Sequence, residues 1–297
     1  QTLAVNGPVT AETVLRTDGV IVAAEVREGR LLWLVHDGGR YVREDGQVVL
    51  GGPLDARLRF GLERERTLVA RGGGLAVVGA GAVERLAVDI CDGEPAFASG
   101  EAGRCWASGG QLLRQGALGP ERIGDVLAGQ TRLFIGPRHG FGFYRAGELS
   151  VAFLFTPARR GLDDGLALPP LRGQLLEAHC VFEGERTWFL TRTRHAGRLV
   201  HRCLQLGARG EVEAAAEQGA DEAGWLGWPR GTCAVAGALL APTDDGIVRV
   251  EAQGGRLEVT RRFPATEPFV SSSTRLLPAP DGLWAVEAQQ LRLLKLV

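Results

Sequence analysis

Methionine is absent from all 297 residues, lysine occurs once, at Lys295, and asparagine once, at Asn6. Arginine therefore carries nearly all the positive charge, a skew that reads as the codon bias of a GC-rich, bacterial genome. A chain that opens on Gln1 without a methionine is expected to be a processed fragment or a piece of a longer protein. No run of about 18 apolar residues occurs, which argues against a membrane-spanning helix, and no leader-like segment opens the chain. There is no CxxC pair. Five scattered cysteines, Cys91, Cys105, Cys180, Cys203 and Cys233, fit neither a disulfide framework nor a zinc knuckle. They are expected to be buried free thiols in a reducing cytoplasm. Net charge is also missing: 34 basic residues face 35 acidic ones, so no global field draws the chain to nucleic acid or an anionic membrane. Any charged partner must be met by a local patch. The motifs GxSxG, P-loop and HExxH, and a GxGxxG between strand and helix, are lacking as well.

What is present is glycine, 43 residues of it, arranged as punctuation between short apolar runs. The stretch "LLAPTDDGIVRVEAQGG" (239–255) matches "RLLPAPDGLWAVEAQQLRLLKLV" (275–297), so that Leu283, Trp284, Val286 and Glu287 fall on Ile247, Val248, Val250 and Glu251. Five weaker copies begin at Leu31, Thr67, Arg104, Arg132 and Thr187. Their turn glycines, Gly39, Gly74, Gly110, Gly140, Gly197, Gly246 and Gly282, recur at roughly 40 residues, the period of a four-stranded propeller blade. Candidate innermost strands precede each hairpin, starting at Gly19, Ala56, Pro95, Ile123, Gln174, Gly231 and Glu267. Short strands with Gly and Asp turns cannot bury both faces alone, whereas stacked twisted sheets bury each face against a neighbour.

The expected architecture is all-β: one seven-bladed β-propeller over 1–297, built of four-stranded antiparallel blades. Approximate blades are 19–55, 56–90, 94–122, 123–155, 174–207, 231–263 and 267–297, with insertions at 156–173 and 208–230. Glu211–Gly224 is the one helical candidate, inside the second insertion. The run "LRLLKLV" (291–297) is expected to be the outer strand of the last blade, and the N-terminal "QTLAVNG" to add or cover an edge. In their Asp-Gly turn, alternating strand and "GG" break, the units resemble the repeats of bacterial quinoprotein-type and tryptophan-aspartate-type β-propellers. They depart from the first in lacking the docking tryptophan after Gly254-Gly255, and from the second in lacking Gly-His and Trp-Asp pairs.

The acidic turns at Asp37, Asp163-Asp164, Asp244-Asp245 and Asp281 do not continue as a calcium loop, which requires six to eight spaced oxygen ligands. Asp and Gly as turn formers explain them. His195, His201 and Cys203 lie close in sequence but lack a fourth ligand for zinc. No metal and no cofactor is expected. Glu177 and His179 fall on one face of a proposed innermost strand, and with Asp163 or Asp164 they are the candidate acid–base groups of an alternative enzyme reading, a hydrolase or lyase acting on a carbohydrate or small molecule.

Departures from the repeat are the better signal, because insertions in repeat proteins map to loops that carry function. The first insertion holds Arg159 and Arg160, and the second holds Trp225 and Trp228, aromatics of the kind that anchor interfaces. Between them runs an arginine stripe that includes Arg186, Arg192, Arg194, Arg198 and Arg202, which the nearby acidic segment is also placed to pair. The preferred reading is a non-catalytic protein-interaction or regulatory module, a domain or subunit of a bacterial multiprotein system. It would be a cytoplasmic, monomeric propeller within a larger protein or complex, with a protein partner at Arg159, Arg160, Arg192, Arg194, Arg198, Arg202, Trp225 and Trp228. No nucleic acid and no membrane is expected as partner.

Overall fold

The glycine punctuation closes hairpins. In the computed structural model, which describes residues 4–5, 7–163, 165–219, 224–266 and 273–296, two short strands come first, β1 (Ala4–Val5) and β2 (Thr10–Arg16). The chain then meanders: β3 (Val20–Arg27), β4 (Arg30–Asp37), β5 (Arg40–Arg43) and β6 (Val48–Gly51) form one four-stranded antiparallel sheet. The next holds β7 (Arg59–Leu62), β8 (Arg66–Arg71), β9 (Gly74–Gly79) and β10 (Ala82–Ala87). After a ribbon of β11 (Ile90–Cys91) and β12 (Glu94–Pro95) come β13 (Phe97–Gly100), β14 (Gly103–Ser108), β15 (Gln111–Gly116) and β16 (Gly119–Asp125). A fourth meander holds β17 (Thr131–Ile135), β18 (Gly140–Ala146), β19 (Leu149–Phe155) and β20 (Leu166–Leu168).

The pattern continues with β21 (Gln174–Glu183), β22 (Arg186–His195), β23 (Arg198–Leu206) and β24 (Val212–Gly219), and then with β25 (Cys233–Val235), β26 (Ala238–Thr243), β27 (Gly246–Gln253) and β28 (Arg256–Pro264). These two meanders touch through one parallel bridge, Ala215 to Arg256. The last sheet holds β29 (Arg275–Ala279), β30 (Gly282–Val286) and β31 (Gln290–Lys295), with β2 from the other end of the chain as its outer strand. The chain divides into two compact units, Val22–Pro170 and Gln1–Ile21 with Leu171–Val297.

Alternation explains the packing. In β26, Leu239 and Ala241 face the meander before it, sharing a core with Trp188, Leu190 and Trp225. Leu240 faces the one after it, sharing a core with Leu276, Leu283 and Leu294. A sheet buried on both faces needs a nearly continuous apolar run, and "ALLAP" supplies it. First strands also meet: β21 abuts β25, and β25 abuts β29. In the other unit β13 abuts both β7 and β17.

The two best repeats share a hairpin. Asp244 and Asp245 are the turn between Thr243 and Gly246, and Pro280 and Asp281 the turn between Ala279 and Gly282. Gly246 and Gly282 have φ of 146° and 155°. A Cβ there would lie 2.2 Å from the Phe263 carbonyl oxygen and 2.1 Å from that of Leu294, respectively. Glycine is required because the neighbouring strand's backbone comes that close.

The all-β expectation holds, and the differences concern which strand is which. Glu211–Gly224 is not helical: Val212–Gly219 is β24, with Ala214 buried in the core, and a 3-10 turn follows at Gly224–Gly227. Pairing with β23 outweighs alanine's helical preference, because tertiary context overrides local propensity. Likewise, 156–173 contains β20, so both supposed insertions contain the outer strand of a meander. Ile123 lies within an outer strand, β16, and the fourth meander begins at Thr131. "LRLLKLV" provides the third strand of the last sheet, whose fourth is β2. The candidate innermost strand at 267–273 falls mostly outside the described residues. No helix is long and apolar enough to cross a membrane.

Candidate binding surface

Strand register divides the arginine stripe between two faces. In an antiparallel pair directly opposed residues share a face. Arg192 lies opposite His201, and Arg202 opposite Thr191. Arg192 and Arg194 therefore occupy the face of Glu177, which is in register with Arg192, while Arg198 and Arg202 occupy the other. Arg202 meets Glu217 of β24 at 3.0 Å, and Arg186 meets Glu213 at 3.4 Å.

Glu177 organises the first face. One carboxylate oxygen is 3.2 Å from Arg192 and the other 3.0 Å from Arg230. Arg230 belongs to a second 3-10 turn, Pro229–Gly231, which packs on both β21 and β29. Its side chain remains 56% exposed. His179, two residues beyond Glu177 on the same face, is half-buried. Desolvation, with Arg275 of β29 and Arg230 adding like charge, pushes its imidazole down to about 3. His201 is buried and bonds the Leu226 backbone, and burial together with Arg192 lowers its pKa. Its Nδ1 and the Arg192 Nε are buried without a hydrogen-bond partner.

A general base works best with a pKa near the operating pH. His179 is far below it. Asp163 donates its backbone N–H to Leu154 and lies in the other compact unit. Asp164 lies outside the described residues. Among the described residues no group of three or more His, Cys, Asp or Glu is placed to hold a metal ion. All five thiols are free and buried. Burial pushes Cys105 and Cys233 up to about 12 and raises Cys91, Cys180 and Cys203 as well, so reactive thiolates are scarce at neutral pH.

The two tryptophans separate. Trp225 is 5% exposed and lies in the core with Trp188 and Leu239, so its expected role as a partner anchor is corrected to packing. The Gly224–Gly227 turn drives it between β23 and β26. Trp228, between the two turns, is 38% exposed. Arg194 and Arg198 are exposed at the β22–β23 hairpin, and Arg159 and Arg160 are exposed in the other unit. Arg230, Arg275 and the buried His201 join this face although sequence reasoning did not assign them to it. Alternation along "VHRC" placed His201 and Cys203 together, but nothing local signals that a turn some 50 residues beyond Glu177 brings Arg230 to its carboxylate.

No protein-family model matches the chain, and no curated protein matches it by sequence. Solved structures do match. Hsv2 from Kluyveromyces lactis, with a complete loop 6CD, aligns at 10% identity over 94% of this chain and 98% of that one, with a TM-score of 0.53. Hydrazine synthase from Kuenenia stuttgartiensis aligns at 10% identity over 93% and 95%, with a TM-score of 0.53. The β-propeller domain of Nup133 from Vanderwaltozyma polyspora aligns at 7% identity over 90% and 91%, with a TM-score of 0.50. These likenesses show a β-propeller fold.

Proposed function

We propose that the chain is a seven-bladed β-propeller serving as a non-catalytic protein-interaction module, a domain or subunit of a larger bacterial assembly. Seven meanders, the last completed by β2, support the blade count, and five unpaired thiols fit a reducing, cytoplasmic setting. The observation that carries the function is the exposed Trp228 between two short turns, the first packed on β23 and β26 and the second, which carries the exposed Arg230, on β21 and β29. Tryptophan and arginine on a rigid platform are what interface centres use. Arg192 and Arg194 extend that surface within one unit, and Arg198, on the opposite sheet face by register, is exposed at the adjoining hairpin end. Arg159 and Arg160 are offered as contacts on the other, and Arg202 as a residue of the opposite sheet face.

Quantitative affinity capture from native extract tests the reading, with the intact protein beside Trp228→Ala/Arg230→Ser. The intact protein should retain a defined partner set, from which the variant loses at least one member while keeping its melting temperature. An identical set from both, or none from either, contradicts the module reading.

A further inference from the structure

We propose that one end of the Leu171–Val297 unit binds an acidic peptide segment bearing an apolar side chain. The inference rests on the interaction reading above and adds the chemistry of the partner. Gly173, at φ +85°, lays the entry to β21 directly on the β22–β23 hairpin: a Cβ there would meet the Arg194 carbonyl oxygen at 2.2 Å and the His195 Cβ at 2.8 Å. That close approach gathers Arg172, Arg194 and Arg198, all exposed, around one hairpin end. On the adjoining face stand Arg192, Arg230 and Arg275, with Glu177 as the carboxylate between the first two.

Positive charge is thus concentrated on a chain whose overall charge is −1. Glu177 takes one contact from each of two guanidiniums and fixes their direction, while planar guanidinium forks match carboxylates in paired geometry. Trp228 offers an apolar face beside Arg230. A single exposed tryptophan suits one apolar side chain of a peptide, whereas single-stranded nucleic acid is held by successive aromatic platforms.

The test uses the full chain and fluorescence anisotropy with three labelled probes: the peptide EELEELEE, its counterpart QQLQQLQQ, and a twelve-nucleotide oligothymidine. The acidic peptide should bind most tightly, and weaken as salt rises. Arg194→Glu/Arg198→Glu should weaken it at least tenfold, and Trp228→Ala should weaken it severalfold, while Arg159→Glu/Arg160→Glu, in the other unit, leaves it unchanged. Equal binding of the glutamine peptide, tighter binding of the oligonucleotide, or indifference to Arg194→Glu/Arg198→Glu overturns the proposal. Its failure is distinguishable from failure of the module reading. If native partners are still captured by Arg194→Glu/Arg198→Glu, the module stands and the acidic ligand falls. If the intact protein captures no partner, the module reading itself fails.

Discussion

Two arginine clusters, one in each compact unit, put the same side chain to different uses. In the Val22–Pro170 unit, arginines are spent on the protein's own backbone. The Arg43 side chain is fully buried and donates to the carbonyls of Glu63, Arg64 and Arg66, to Thr67, and to Glu44. Arg104 grips Glu63 through two bonds of 2.9 and 2.7 Å, and Ser99 donates to the same carboxylate. Arg27, at the end of β3, reaches the Leu62 carbonyl at 2.8 Å and the Ser99 carbonyl at 2.5 Å, tying three first strands together. In the other unit the guanidiniums of Arg192 and Arg230 share one carboxylate and face outward in part. One cluster holds turns in place, and the other keeps part of its guanidinium surface exposed.

The largest effect that breaks this comparison is Arg43→Ala. It takes one hydrogen bond from each of three carbonyls and the nearer guanidinium from the buried Glu44 carboxylate, and urea denaturation should show a loss of about 3–5 kcal/mol. Arg194→Glu should change stability by only about 0.5 kcal/mol or less. The tryptophans give the second contrast: Trp225→Ala opens the core and should lose about 3–5 kcal/mol, while Trp228→Ala should melt like the parent. Equal losses from the two would place both in the core.

How much of this could be read beforehand follows from the same residues. The repeat was legible at 239–255 and 275–297 because its turn glycine is forced by a carbonyl about 2 Å from where a Cβ would lie. Gly246→Ala should cost about 1–3 kcal/mol by denaturation, less than either core change. Outer strands were hard to place because they lie half in solvent and carry little alternation. Strands β20 and β24 thus looked like insertions, and alanines in "EVEAAAEQG" looked helical. The arginine stripe was visible, but its division into two faces depends on register. The site's other half, Arg230 and Arg275, arrives through chain crossings that leave no local pattern.

The smallest effect concerns pH. The folded value of His179 is held at about 3, below the roughly 6.5 of an unfolded histidine. Between those values the unfolded chain binds the extra proton, so stability is present above about 6.5 and falls as pH drops toward 3. Urea denaturation at pH 7.5 and 5 should show His179→Gln losing less than the parent across that interval. The difference should be about 1 kcal/mol or less, because partial exposure screens the charge. An identical loss in both would remove His179 from the acid response.

The contrast between the filled cluster and the open one is tested most directly by calorimetric melting of the full chain with increasing EELEELEE peptide. A group that binds only the folded state raises the melting temperature with its concentration. The account predicts a rise that grows with peptide, disappears in Arg194→Glu/Arg198→Glu, and persists in Arg159→Glu/Arg160→Glu. A melting temperature that ignores the peptide, or rises equally in all three proteins, would contradict it.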